Sequence, residues 1–350
     1  MSRQSVRREK RSHLMKGSII TATILLLGVL VVSRDLAAQT PAATPEGSTY
    51  AVIITGLGGD ADYEKLIEDW GRDLHSALEH SGVGQDHLFW LAAKMQPGVY
   101  AESKQEEVRK LLQTLAGRLT ARDVFQLYLI GHGSYDDYDY RFNLPGTDLT
   151  AAQYAELLTR IPCQRQLFVN MSSASGASLA PLRQKGRVII TSTSAGQERN
   201  FSVFARYFVA ALQESSADAD KNEEISALEA YRYATRELAR YYDSQKRLAT
   251  EHPMLEDRGD GDGVRDPQPS NGEGLLAGAM TVRRLGSAHP LLDTPEAQQL
   301  RARKRQVEES IEQLKYDKAG MDTDAYFQRL EKLLVELSQL QQRLDSLEKQ

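Results

Sequence analysis

The sequence predicts an α/β domain, a mostly parallel sheet flanked by helices, followed by a C-terminal helical hairpin or coiled coil. From Tyr50 onward, short apolar runs alternate with amphipathic stretches, the pattern of strands and covering helices in an open sheet. With 350 residues, 41% hydrophobic and 26% charged, the chain can bury one sizeable core and still carry an accessory element. Beyond Pro290 the apolar residues recur at spacings of three and four, which makes a helical stripe.

The chain opens with Arg3, Arg7, Arg8, Lys10, Arg11 and Lys16, then an uncharged run from Gly17 to Ser33. This is the basic and apolar order of an export signal or N-terminal membrane anchor, assigned to residues 1–39. Leu36, Ala37 and Ala38 suit cleavage, and residues 40–49, rich in Pro and Ala, read as a linker. The remainder is expected to be exported, periplasmic or extracytoplasmic, touching a membrane only through this segment.

Within residues 50–285 the candidate strands are Tyr50 to Thr55, His87 to Leu91, Phe125 to Ile130, Gln166 to Asn170 and Arg187 to Ser192. Helices are expected at Tyr63 to His80, Ser103 to Leu119, Thr150 to Arg160, Asn200 to Gln213 and Ser226 to Gln245. The stretch from Glu256 to Gly274 has no apolar periodicity and reads as a long surface loop, with Asp257, Asp260 and Asp262 as turn residues. In residues 294–350, Leu300, Val307, Ile311 and Leu314 form one stripe. Leu330, Leu333, Leu337, Leu340, Leu344 and Leu347 form another. Gly320 to Asp324 separates them, with Asp322 or Asp324 placed to cap the second helix. These stripes imply an intramolecular hairpin or a coil through which chains self-associate.

A net charge of -5 excludes the basic face that nucleic-acid phosphates demand. The single cysteine, Cys163, rules out both a disulfide framework and a cysteine-based zinc site. Its place after Pro162 and just ahead of a strand marks it as a buried structural thiol.

Two strand ends carry the chemistry. The run from Leu127 to Ile130 stops at Gly131, His132 and Gly133, which presents an imidazole at a strand tip. The flanking glycines let the backbone turn and leave the Gly133 amide free to face a developing oxyanion. The run from Gln166 to Asn170 breaks into Met171-Ser-Ser-Ala-Ser-Gly176, which sets Ser173 at the equivalent turn of the next strand. In open α/β sheets such carboxyl-end loops form the ligand crevice. Asp136, Asp137 and Asp139 follow His132 closely; one reading has them orient the imidazole, and the other, the commoner for a run of loop carboxylates, is solvated surface.

This pair of motifs resembles the legumain and caspase group of cysteine endopeptidases, in which one strand ends in His-Gly and the next in a Cys-x-Ser-Gly turn. The resemblance spans roughly Tyr50 to Leu212 in order, spacing and strand context. It implies a caspase-like fold, with His132 in the place of the catalytic histidine, Ser173 in that of the cysteine and Gly133 in that of the oxyanion glycine. Thr191 to Ala195 then matches the family's substrate-lining segment. Two departures shape the functional expectation. A serine hydroxyl needs a far better oriented base than a thiol does, and the arginine that follows the family's first strand has no counterpart between Gly58 and Lys65. No Gly-x-Ser-x-Gly elbow is present either. The expectation is a pseudo-peptidase that binds a peptide or protein partner near His132 and Ser173. The alternatives are a serine-dependent hydrolase using that pair, and a scaffold whose working part is the coiled coil.

A smaller signal begins at Asp218. Oxygen ligands fall at positions one, three, five, nine and twelve of an EF-hand-like loop, as Asp218, Asp220, Asn222, Ser226 and Glu229, with Ile225 at the hydrophobic eighth. The sixth position is Glu223 where the sharp turn wants glycine. Calcium held by Asp218, Asp220, Asn222 and Glu229 is one reading, and a Ser226–Glu229 capping box is the other. No cofactor is otherwise required.

Overall fold

Residues that alternate along each apolar run belong to opposite faces of one sheet, so each strand is buried on both sides. The computed structural model describes residues 47–285 and 294–348. The export segment expected at 1–39 and the greater part of the linker lie outside those residues. In chain order the strands are β1 (Thr49–Thr55), β2 (Leu88–Ala92), β3 (Ala101–Glu102), β4 (Val124–Gly131), β5 (Gly133–Tyr135) and β6 (Tyr140–Phe142). They continue with β7 (Leu149–Thr150), β8 (Arg165–Ser172), β9 (Arg187–Thr191), β10 (Glu224–Ser226), β11 (Met254–Glu256) and β12 (Thr281–Arg284). The helices are α1 (Ala61–His80), α2 (Gln105–Arg118), α3 (Ala151–Thr159), α4 (Leu179–Leu182) and α5 (Phe204–Ala211). After them come α6 (Ala227–Ser244), α7 (Leu275–Gly278), α8 (Pro295–Asp317) and α9 (Thr323–Glu348).

Seven strands form the central sheet in the order β11-β9-β8-β4-β1-β2-β3. All neighbours pair in parallel except β11, which runs antiparallel along β9. The chain builds outward from β1 to β3, then crosses back to β4 and proceeds the other way, so the order reverses between β1 and β4. Along β4, Tyr128 and Ile130 face a core shared with α1, α5 and α6, while Phe125, Leu127 and Leu129 face one shared with α2 and α3. Burying each such side chain stabilises the fold by about 1.5–3 kcal/mol.

The helices start where the sequence supplies caps. The Asp60 carboxylate accepts from the amides of Asp62 and Tyr63 at the head of α1, and Thr150 with Gln153 closes a capping box on α3. The helix expected from Asn200 forms only from Phe204. The residues before it are claimed by the buried Glu251, whose carboxylate accepts from Ser202 Oγ (2.5 Å) and the amides of Val203 (3.0 Å) and Phe204 (3.2 Å). That carboxylate thereby satisfies the helix's orphan donors from outside.

The segment from Glu256 to Gly274 is less superficial than expected. Glu256, Asp257 and Glu273 are buried. Asp257 is an internal strut rather than a turn residue, since its two oxygens accept from Gly274 (2.9 Å) and Ala277 (2.8 Å). The short strands β5 to β7, β10 and β12 were not visible in the sequence, being two to four residues long without alternation.

The C-terminal stripes pack on each other within the chain. Val307, Ile311 and Leu340 form a small core with Leu300, Leu330, Leu333 and Leu337 around it. Arg303 Nε reaches Glu336 Oε1 at 2.7 Å across the pair. Asp322, not Asp324, caps α9 by accepting from the amides of Asp324 and Ala325, both at 3.1 Å. The hairpin is tied to the sheet domain where the Tyr316 hydroxyl donates to the Glu273 carbonyl. Among the described residues, no helix is long and apolar enough to cross a membrane.

Candidate functional site

The site follows from register. β4 and β8 pair so that Gly131 stands opposite Ser172, and the next residues, His132 and Ser173, therefore leave the sheet at the same level. The loop after β1 lies across the reversal of strand order from His132, and crevices form at such points. The His132 amide donates to the Leu57 carbonyl (3.0 Å), and its carbonyl accepts from Asn143 (3.0 Å). The backbone at the strand tip is thus fixed from both sides. Gly133 does not turn sharply, as expected, but starts β5.

His132 Nδ1 and Ser173 Oγ are 3.0 Å apart, a hydrogen-bonded pair. The same hydroxyl lies 3.1 Å from the Gly133 amide, which donates to it, and 3.0 Å from the Gly133 carbonyl, to which it donates. A hydroxyl has one proton, and here two acceptors compete for it, the imidazole and the carbonyl. Ser173 is fully buried. Glycine is needed at 133 because a Cβ there would stand 2.3 Å from the Ser173 carbonyl oxygen and 2.5 Å from the Tyr140 ring. The amide that sequence reasoning assigned to an oxyanion is thus occupied by the serine itself.

Behind the serine, Tyr140 OH (3.1 Å) and Ser172 Oγ (2.8 Å) both donate to Asn170 Oδ1. Ala174 adopts the left-handed conformation at φ +57°, which costs a non-glycine residue about 1–2 kcal/mol. Its amide is held at 2.7 Å by the Glu198 carbonyl. Ser175 Oγ lies 3.1 Å from both Ser192 Oγ and Thr193 Oγ1, and Thr193 Oγ1 accepts from the Gly176 amide at 2.8 Å. Thr191, Ser192 and Thr193 are fully buried. Of the segment expected to line a substrate, only Ser194 and Ala195 reach the surface in part, and the rest braces the turn that carries Ser173.

The imidazole is half-buried under two aromatic rings that sequence reasoning missed. Phe201 and Tyr63 meet it edge-on with centroids at 5.4 and 6.1 Å, and stack on each other at 3.9 Å. Nothing periodic in the sequence links Tyr63, on the first turns of α1, to Phe201 in the segment ahead of α5. That segment is clamped by Glu198, whose carboxylate accepts from Ser194 Oγ (2.6 Å) and the His252 amide (3.0 Å) and lies 2.8 Å from His252 Nδ1. Burial opposes ionisation of Glu198, but the bonds from Ser194 and His252 outweigh it and hold the carboxyl below its ordinary range. For His132, burial pushes the pKa below 6.5, against a hydrogen bond that the ring donates to the Gly58 backbone and the charge of Asp60. Burial thus favours the neutral ring.

The other expected residues are placed as follows. Asp136, Asp137 and Asp139 pair with Arg141 and Arg199 on the surface, away from the imidazole. Cys163 is buried, and burial, helped by Asp123, pushes its thiol up to about 12, so it is no nucleophile. Asp218, Asp220 and Glu229 do converge, each offering an oxygen within 4.8 Å of the others. Asn222 presents its nitrogen rather than its oxygen to the group, its Nδ2 donating to Asp220 Oδ2 at 3.3 Å while its Oδ1 accepts from the Glu224 amide at 2.8 Å. The capping box between Ser226 and Glu229 is present. The second Glu229 oxygen accepts from the Ala219 amide at 2.9 Å. Glu223 takes the left-handed conformation, φ +66°, that the sixth loop position demands.

No family model matches the chain, and no curated protein matches it. Among solved structures it is similar to caspase-1 from Spodoptera frugiperda, at 13% identity over 62% of this chain and 88% of that one, with a TM-score of 0.43. It is also similar to the Drosophila initiator caspase Dronc, at 9% identity over 71% of this chain and 96% of that one, with a TM-score of 0.41. Likeness at this level brings no residue role, substrate or partner with it.

Proposed function

We propose that this protein is an exported pseudo-peptidase, a peptidase-like α/β domain that binds a peptide segment of a partner protein beside His132 and Ser173 without cleaving it. The observation behind this reading is the closure of Ser173 on Gly133. Its oxygen already accepts the amide that would stabilise a tetrahedral oxyanion, and it has no exposed surface from which to attack a carbonyl. The aromatic pair over His132 supplies an apolar, partly open rim of the kind that holds a side chain of a bound segment.

A serine-dependent hydrolase is the second reading, favoured by one observation, the 3.0 Å contact between the imidazole and the hydroxyl. Acylation would then require Ser173 to release Gly133 and the segment around Phe201 to lift. Incubation of the purified protein with a serine-reactive phosphonate, read by intact mass, separates the two. The expected result is no adduct. An adduct at Ser173 that disappears in His132→Ala would establish the hydrolase instead.

A further inference from the structure

A second group of carboxylates lies at the opposite end of the sheet from Ser173. Because β11 runs antiparallel to β9, with Glu256 opposite Ile189, the chain leaves β11 near the start of β9. There Glu256 and Glu273, both 0% exposed, are joined from the surface by Asp260. Each of the three offers an oxygen within 4.8 Å of the other two.

Backbone amides satisfy half of the two buried carboxylates. Glu256 Oε1 accepts from Gly259 and, at 3.0 Å, from Asp260, with the Gly261 amide also directed at this group. Glu273 Oε2 accepts from Asp257 at 2.8 Å. The remaining oxygens, Glu256 Oε2 and Glu273 Oε1, are buried without any hydrogen-bond partner. Burying an acceptor without a partner is unfavourable, and more so when it is charged. Neither nearby cation fills this need: the buried Arg187, whose charge acts on Glu256, spends its donors on Gln166, Leu182 and Gln184. Arg258 Nε stands 4.0 Å from Glu273 Oε1, beyond hydrogen-bonding range, while its NH2 is committed to Asp260 Oδ2 at 3.0 Å.

We propose that Glu256, Asp260 and Glu273 hold a calcium ion that joins the loop after β11 to the segment leading into α7. All three donors are hard oxygens, with neither nitrogen nor sulfur among them, which selects calcium or magnesium over zinc or copper. Calcium binds its oxygens at about 2.3–2.6 Å, so ligands facing across it stand about 5 Å apart, the scale of this group. Magnesium retains several of its waters, and two of these three carboxylates are shut off from solvent. The ion would also steady the hairpin, because Tyr316 of α8 donates to the carbonyl of Glu273.

The test is the melting temperature of the full chain, stripped with chelator and then supplied with millimolar calcium chloride. Calcium is expected to raise it by several degrees. Measured in an Asp220→Asn background, which removes any contribution from the separate Asp218 group, both Glu273→Gln and Asp260→Asn should abolish that shift. Should Glu273→Gln fail to fold, the surface variant Asp260→Asn decides the matter. A melting temperature indifferent to calcium, or a shift that survives Asp260→Asn, overturns the proposal.

Discussion

At the scale of single residues, the site is governed by one proton and the groups that share it. With burial favouring the neutral ring, the folded chain resists protonating His132 more than the unfolded chain does. The stabilising contribution is therefore complete above pH 6.5 and is lost as pH falls through the lower folded value. Proton NMR of the imidazole should give a midpoint below 6.5, and a midpoint above it would mean that Asp60 outweighs burial. Phe201→Ala removes the ring stacked on Tyr63 and uncovers the imidazole, so the same titration should then move back toward 6.5. An unmoved midpoint would show that Phe201 does not control solvent access. His132 and Ser173 were legible in the sequence because glycine and small polar residues abruptly end two apolar runs. The saturation of Ser173 was not, since it depends on the carbonyl and amide of Gly133 lying within 3.1 Å, a fact of tertiary packing. Tyr63 and Phe201 were hidden for the same reason, each reading simply as a helical residue.

Among the elements, those with continuous apolar runs were the readable ones. β1, β4, β8 and β9 begin and end within one or two residues of expectation because both their faces are covered, which leaves little freedom in the pattern. β10 and β12 make a two-stranded sheet of their own beside the Asp218 loop, and three or four residues cannot announce themselves by period. The loop shows how two readings of one segment coexist. Its carboxylates converge as a cation loop's would, yet Glu229 also caps α6. Ser226→Ala breaks that capping box and should destabilise the fold by about 1 kcal/mol in urea denaturation. A change below a few tenths of a kcal/mol would mean that β10 pairing alone fixes the head of α6.

For the molecule as a whole, the hairpin is the element whose role was least determined by its pattern. Leucines at spacings of three and four fit a partner helix in the same chain or in another, and the sequence does not choose between them. Here the two stripes cover each other, and α8 reaches the sheet domain at Glu273. Deleting residues 294–350 should lower the melting temperature of the sheet domain by several degrees in calorimetry, since it uncovers that contact. An unchanged transition would mark the hairpin as an independent appendage.

The pairing of Gly131 with Ser172 has one more consequence. A slip of one residue between β4 and β8 moves one strand about 3.3 Å along the other and exchanges every inward side chain for an outward one. The imidazole and the hydroxyl would then stand apart, whatever else had formed. Their contact is a built-in gauge of alignment. During refolding, the His132 resonance should reach its native position only once the centre of the sheet has locked, which makes the candidate site a clock for the assembly of the fold.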